Sequence, residues 1–277
     1  MVIMVIMTAL LFGTAGFKTK LQMGYRDSRL LGETRILRPG STLFRLLGKL
    51  PVLAGLATVL CASTAPAITP NYVQGNYAAP TWQSSVTVPY TAAQTAGDLN
   101  VVIVGWNDST TQVTSLTDSK GNVYQLAVGP TVLTGSPALS QAVYYAKINS
   151  AATAGANAVT VKFNAAAYYP DIRILEYSGI DPVNPVDVSA SATGNSAITS
   201  SGAVTTKNPM DLLVGANVVW TMTSGPGSGF TQRLLTPDGD IVQDRVVTAV
   251  GSYNASAPLS SAGAWVMQMV AFRAAGP

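Results

Sequence analysis

Apolar and polar residues alternate in short segments along the second part of the chain, and this alternation predicts β-strands. In Ala158–Phe163 the apolar residues Val159, Val161 and Phe163 are separated by polar ones, and Asn122–Val128 has the same pattern. Side chains two positions apart point to the same face of a strand. Both segments are therefore predicted to be strands with one buried face.

Other segments are almost continuously apolar, which predicts strands that are buried on both faces. The clearest are Leu99–Trp106, Leu212–Trp220 and Ala264–Phe272. Further candidate strands are Tyr72–Tyr77, Ser84–Tyr90, Gln141–Ile148, Ile172–Tyr177, Val186–Ala192 and Ile241–Ala249. No stretch of about 12 residues has convincing helical periodicity. We predict an all-β fold, a single antiparallel, jelly-roll-like β-sandwich over residues 68–277.

Two local patterns add detail to this fold. The turn residues Asp118–Asn122 predict a hairpin that folds the segment before them back onto the segment after them. In addition, Asp98–Trp106 resembles Asp211–Trp220, because each begins with Asp, continues as an apolar strand and ends with Trp, one residue out of step. This similarity has two interpretations, two unrelated central strands or a duplicated half-sandwich.

The first 67 residues have a different character and predict an export leader. The apolar run Leu50–Leu60 follows Arg45 and Lys49 and precedes Ala65 and Ala67, which match an A-x-A cleavage site. Cationic, apolar and then small residues is the order found in secretory signals. The run is shorter than the roughly 20 apolar residues that span a bilayer. We assign residues 23–67 to the leader, with a buried helix as the alternative, and expect membrane contact only during export.

Two features of this region stay open. Residues 1–22 are either a short anchor or an upstream extension, with Met23 as the initiator. Cys61 follows the apolar run, as a lipidated cysteine does, but Leu60 stands where lipoprotein signals have a small residue. An apolar filler that is removed with the leader is the alternative for Cys61.

The charges and the residue types of the second part exclude several function classes. Residues 68–277 carry eight Lys or Arg and eleven Asp or Glu, a balance unsuited to binding a phosphate backbone. We therefore expect no nucleic-acid partner. The same residues contain no His and no Cys, so Ser-His-Asp and Cys-His catalysis and His or Cys zinc sites are excluded there. We expect a protein that is not an enzyme.

Carboxylates supply the remaining candidate chemistry. Glu176, the one Glu of residues 68–277, would need an Asp partner to act as a glycosidase, and the alternative is an ion pair with Arg245 or Arg273. Three further residues, Asp238, Asp240 and Asp244, offer oxygen ligands for calcium, the one cofactor considered, although they also suit a turn.

Aromatic residues near strand ends are the candidate ligand contacts. Trp106 and Trp220 end two predicted strands, and Tyr168 and Tyr169 lie between strands. Flat rings with polar edges stack on sugar faces at wet interfaces. The alternative is that the tryptophans close the ends of the hydrophobic core.

Several short strings together resemble a known type of module. These strings are Ala96–Leu99 (AGDL), Asp118–Tyr124 (DSKGNVY), Tyr144–Lys147 (YYAK), Glu176–Asp181 (EYSGID) and Pro209–Leu213 (PMDLL). The region that contains them, Tyr72–Arg273, resembles an uncharacterised β-sandwich module of bacterial secreted and cell-surface proteins, often found beside immunoglobulin-like or fibronectin-like repeats. The resemblance implies architecture and an extracytoplasmic location, and it implies no activity.

These observations lead to three hypotheses. The first is a secreted or cell-surface module for adhesion or carbohydrate binding, with glycans or other surface proteins as partners. The second is a structural subunit or spacer of a surface assembly. The third is a glycan-cleaving enzyme that uses Glu176.

Overall fold

The computed structural model describes residues 68–276, which form strands and no helix. The first eight strands are β1 (Asn71–Ala78), β2 (Trp82–Pro89), β3 (Leu99–Trp106), β4 (Val113–Asp118), β5 (Gln125–Leu133), β6 (Leu139–Lys147), β7 (Ala158–Tyr168) and β8 (Asp171–Ser178). The others are β9 (Val186–Ser200), β10 (Val204–Thr205), β11 (Asp211–Val219), β12 (Thr231–Leu235), β13 (Ile241–Val247), β14 (Ser252–Tyr253) and β15 (Ser256–Arg273). Within residues 68–276 there is accordingly no helix long and apolar enough to cross a membrane.

Two five-stranded antiparallel sheets form the centre of this region, and they share one strand order. The first main sheet has the order β1-β8-β3-β6-β5, and the second has the order β9-β15-β11-β13-β12. The two orders correspond position by position along the chain, with β3 and β11 at the centres. A small sheet accompanies each half, β2-β7-β4 in the first and β10-β14 in the second. The Asp98–Trp106 and Asp211–Trp220 segments thus occupy equivalent places, which agrees with the duplicated-half interpretation.

The main sheets pack face to face, as in a sandwich, around a shared hydrophobic core. Val101 and Ile103 of β3 belong to this core together with Val214 of β11. On its other face β3 contributes Val102 and Val104 to a second core, which the small sheet β2-β7-β4 covers. A third core lies on the outer face of the second main sheet, next to β14 and the start of β15. Both faces of β3 and β11 are therefore covered, which explains their continuously apolar sequences.

The hairpin prediction at Asp118–Asn122 is wrong, although the turn itself is present. The strand before the turn, β4, pairs with β7, while the strand after it, β5, pairs with β6 in a different sheet. The Asp118 carboxylate accepts hydrogen bonds from the backbone N–H groups of Lys120 and Asn122 at 3.0 Å each. This turn carries the chain from the small sheet to the first main sheet instead of joining neighbouring strands.

The all-β, antiparallel class predicted from the sequence is confirmed for the described residues. The prediction of one simple sandwich was incomplete, because each main sheet also has a covered outer face. The predicted leader at 23–67, the upstream extension at 1–22 and Cys61 lie outside the described residues.

Candidate functional site

A cleft of about 340 Å³ opens at the end of the sheets where β3 and β11 finish. Its lining residues come from both halves of the chain: Asn107, Tyr168, Tyr169, Val219, Trp220 and Asp238. Tyr168, Tyr169 and Trp220 were candidate ligand contacts in the sequence, and the fold brings all three to this one place.

The connection between β7 and β8 positions the two tyrosines. Tyr169 has a positive φ of 46°, a conformation that is uncommon for residues other than glycine and is found at functional sites. Its backbone N–H donates to the Thr81 carbonyl at 2.8 Å, which ties the connection to the start of β2. The Tyr168 and Tyr169 rings meet edge to face with centroids 4.6 Å apart. This local backbone geometry turns two consecutive rings toward the cleft.

Trp82 extends this group of rings. Its ring centroid lies 5.5 Å from that of Tyr168, also edge to face. Trp82 is 60% exposed and Tyr168 is 38% exposed, so both rings present surface to solvent. Trp82, Tyr168, Tyr169 and Trp220 are called the aromatic cluster below.

The two tryptophans that end the central strands have opposite environments. Trp220 is 53% exposed beside the cleft, whereas Trp106 is 1% exposed and packs edge to face on Phe163 at 5.6 Å. The segment from Asp211 to Trp220 is one residue longer than that from Asp98 to Trp106, and one residue reverses the face of a strand. Trp106 therefore points into the core beneath the small sheet. The prediction of Trp106 as a ligand contact is wrong, and its alternative, a core tryptophan, is correct.

A buried polar cluster lies behind the cleft. Arg173, which has no exposed surface, pairs through Nε with the Asp171 carboxylate at 2.8 Å. The Arg173 guanidinium also donates to the carbonyl oxygens of Asn217 and Ile241, at 2.8 and 3.0 Å, and to Gln141 Oε1 at 3.1 Å. These bonds join the first main sheet to the second across the sandwich.

Carboxylates connect this buried cluster to the cleft. Asp240 Oδ1 accepts the N–H of Val219, a lining residue, at 2.8 Å. Asp238 lines the cleft itself, and its Oδ2 is buried with no hydrogen-bond partner among the described residues. Burial and the nearby Asp171 charge raise the pKa of Asp238, and Arg173 opposes that shift. Burial and Asp171 likewise raise the pKa of Asp240.

The pKa of Asp108, the residue directly after the lining residue Asn107, is shifted in the opposite direction. Burial would raise its pKa, but hydrogen bonds from the N–H groups of Thr111 and Thr110, at 2.6 and 2.9 Å, lower it overall. Its Oδ2 also accepts the Tyr168 N–H at 3.4 Å. Asp108 is therefore ionised at neutral pH and fixes the backbone of the tyrosine pair.

The three residues predicted as calcium ligands are not brought together. Asp244 is paired with Arg233 at 2.7 Å. Asp240 directly precedes β13, and Asp244 lies within that strand four residues later. About 13 Å of extended backbone therefore separates the two residues. Ligands of one calcium ion all lie within 2.3–2.6 Å of it. Residues 68–276 contain no group of three or more acidic side chains arranged to hold a metal ion.

Glu176 has no exposed surface, and its partners differ from those predicted. Its carboxylate accepts hydrogen bonds from Gln74 Nε2 at 2.6 Å and from the Thr95 N–H at 3.2 Å. The predicted partners are engaged elsewhere, since Arg273 pairs with Asp187 and the Arg245 guanidinium lies over the Tyr253 ring. The Glu176 carboxylate instead adjoins that of Asp98. A glycosidic bond has no access to a fully buried carboxylate.

The residues predicted from the sequence did not include the lining residues Asn107 and Val219. They also did not include the buried Asp171–Arg173 pair behind the cleft. The signal for that pair was present, because Asp171 and Arg173 are alternate residues of one strand and so share one face. Opposite charges on one face of a buried strand indicate an internal ion pair.

Comparisons of the chain with protein-family models, with curated proteins and with solved structures gave no significant match.

Proposed function

We propose that this protein is a non-catalytic extracellular binding module that binds carbohydrate in the cleft beside the aromatic cluster. The observation that carries the proposal is the convergence of Tyr168, Tyr169 and Trp220 on one cleft, with Trp82 alongside. Aromatic faces pack on the apolar faces of sugar rings, and polar groups such as the Asn107 amide and the Asp238 carboxylate orient sugar hydroxyl groups.

The exposure of the rings supports a binding role over a structural one. Trp82 and Trp220 are both more than half exposed, although tryptophan is on average highly buried. Clustered exposed aromatic residues are typical of interaction sites in soluble proteins. The cleft also lies where loops of both halves meet, and loops carried by a rigid sheet scaffold commonly bind ligands.

The topology is compatible with this role. In the first half, strands β1, β8, β3 and β6 of the first main sheet pack against the small sheet β2-β7-β4, an arrangement compatible with the jelly-roll-like fold expected from the sequence. Jelly rolls occur in lectin domains, among others, but a fold by itself does not define a function. The extracellular location rests on the leader pattern of residues 23–67.

A glycan array followed by calorimetry on the best glycan tests the proposal. We expect Trp220→Ala and Tyr168→Ala each to weaken binding about tenfold or more, because each loses one stacking ring worth on the order of 1–2 kcal/mol. The matched control is Tyr77→Ala, since Tyr77 is 37% exposed, as Tyr168 is, but does not line the cleft. Absence of binding to every glycan, or unchanged affinity in Trp220→Ala, would contradict the proposal.

One observation favours a second candidate function, that of a structural subunit. β9 has 15 residues and pairs with β15 along one edge, and no described strand pairs with its other edge. Unpaired edges are templates for strands of another molecule. Light scattering over a range of concentrations tests this candidate. The structural role is supported if the protein associates and if Ile198→Lys on β9 abolishes that association. A monomer at every concentration would refute it.

A further inference from the structure

The charges around the cleft narrow the class of carbohydrate that it would bind. Asp238 lines the cleft, and the ionised Asp108 follows the lining residue Asn107. No Lys or Arg is among the lining residues. The nearby cation, Arg173, has no exposed surface and is engaged by Asp171, two backbone carbonyls and Gln141. A ligand in the cleft therefore meets the carboxyl group of Asp238 and no positively charged lining side chain.

The aromatic rings of the cleft also attract positively charged groups. The face of an aromatic ring carries partial negative charge and attracts an ammonium group within about 6 Å. Tyr168, Tyr169 and Trp220 surround a space that Asp238 also lines. Aromatic rings combined with a carboxylate are a chemical environment suited to a cationic amine.

Asp238 supplies the carboxylate of this environment. It lines the cleft, and it takes part in none of the ion pairs among residues 68–276. An ammonium group bound in the cleft would place an opposite charge beside this carboxylate.

We propose that the cleft selects glycans that carry free, protonated amino groups, such as de-N-acetylated hexosamine polymers, with Asp238 as the residue that recognises the amine. This inference rests on the proposed carbohydrate-binding function. It places Trp220 and the tyrosines against the sugar rings and Asp238 against the ammonium group. Uronic acid or sulfated glycans are disfavoured, because their negative charges would face Asp238.

Calorimetry at neutral pH tests the inference with the purified protein, because glucosamine amines are still partly protonated there and the raised pKa of Asp238 removes less of its charge than in acid. Short oligosaccharides of glucosamine, of N-acetylglucosamine and of galacturonic acid are compared at equal length. We expect the glucosamine oligomer to bind about tenfold more tightly than its N-acetylated form, and the galacturonic acid oligomer to bind most weakly.

Variants identify the residue responsible for the preference. In Asp238→Asn the affinity ratio between the amine and the N-acetylated oligomer should fall from about ten to about one. Asp181→Asn is the control, because Asp181 lies in the connection between β8 and β9 and not in the cleft lining, and it should retain the ratio.

The outcomes separate this inference from the proposed function. Equal binding of all three oligomers, with loss of binding in Trp220→Ala, would overturn the amine preference and leave carbohydrate binding in place. Tighter binding of the galacturonic acid oligomer, or an unchanged ratio in Asp238→Asn, would also overturn the preference. If none of these oligomers binds while the array finds another glycan, the inference alone fails. If no glycan binds at all, both fail.

Discussion

Replacing Arg173 with methionine is expected to lower the free energy of unfolding by about 3–5 kcal/mol. The substitution keeps an unbranched side chain of similar length but removes the guanidinium. Asp171 would then be a buried carboxylate without its cation, and the carbonyls of Asn217 and Ile241 would lose their donor. Breaking a buried pair is costly because the remaining charge has neither water nor a partner. Chemical denaturation followed by tryptophan fluorescence measures the change.

Arg245→Met is the matched control for this prediction. The Arg245 side chain is exposed, and its contact is with the Tyr253 ring at 5.9 Å. Its replacement should change the unfolding free energy by no more than about 0.5 kcal/mol. Adding Asp171→Asn to Arg173→Met should recover part of the loss, because the second change removes the stranded charge. Equal stabilities of Arg173→Met and Arg245→Met would show that the buried cluster does not hold the sheets together.

The protein is expected to lose stability as the pH rises from about 4 to about 7. Asp98 and Asp211 stand at the starts of the two central strands. Burial, repulsion from Glu176 and a hydrogen bond to Glu176 raise the pKa of Asp98 to about 6. Burial and the neighbouring Asp187 raise the pKa of Asp211 to about 7, against the opposing effects of Asn208 and Arg273.

The direction of this pH dependence follows from proton binding in the native and unfolded states. Between the ordinary carboxyl pKa, near 4, and the raised pKa, the native state holds protons that the unfolded chain has released. Stability therefore falls over this range and levels off above the raised pKa. Asp211 has no exposed surface, and its titration corresponds to on the order of 3 kcal/mol. Asp98 is partly exposed and contributes less, because solvent screens it.

Thermal unfolding across this pH range, with isosteric variants, checks the prediction. Asp211→Asn and Asp98→Asn should each reduce the slope, and Asp211→Asn should be more stable than the parent protein at about pH 8 by roughly 2–3 kcal/mol. Asp181→Asn serves again as the control, because backbone N–H groups lower the pKa of Asp181. A stability that rises steadily from acidic to neutral pH would show that these two carboxyl groups titrate normally.

Strand positions were largely predictable because apolar spacing is a local property. The run Leu99–Trp106 coincides with β3, and Ile172–Tyr177 differs from β8 by one residue at each end. Strand partners were less predictable. The turn at Asp118 has good hairpin residues, yet β4 and β5 lie in different sheets, because their apolar faces cover different cores.

The candidate site was likewise predictable in its residue types but not in its assembly. Exposed rings at Tyr168, Tyr169 and Trp220 were predicted from their places near strand ends, and the structure brings them to one cleft. Nothing in the local sequence shows that a loop of the first half meets the end of β11 in the second. Asp238, the acidic residue of the lining, comes close to Asp171 of β8 only in the folded molecule.

The sequence alone determined the β class, the buried central strands and the scarcity of catalytic side chains in residues 68–277, because periodicity and composition are fixed along the chain. The tertiary structure decided which side of the sandwich each tryptophan faces. The extra residue between Asp211 and Trp220 directs Trp220 to the cleft, whereas Trp106 points into a core that the small sheet closes. A difference of one residue changes the environment of a side chain only when the two faces of the strand differ, and packing creates that difference.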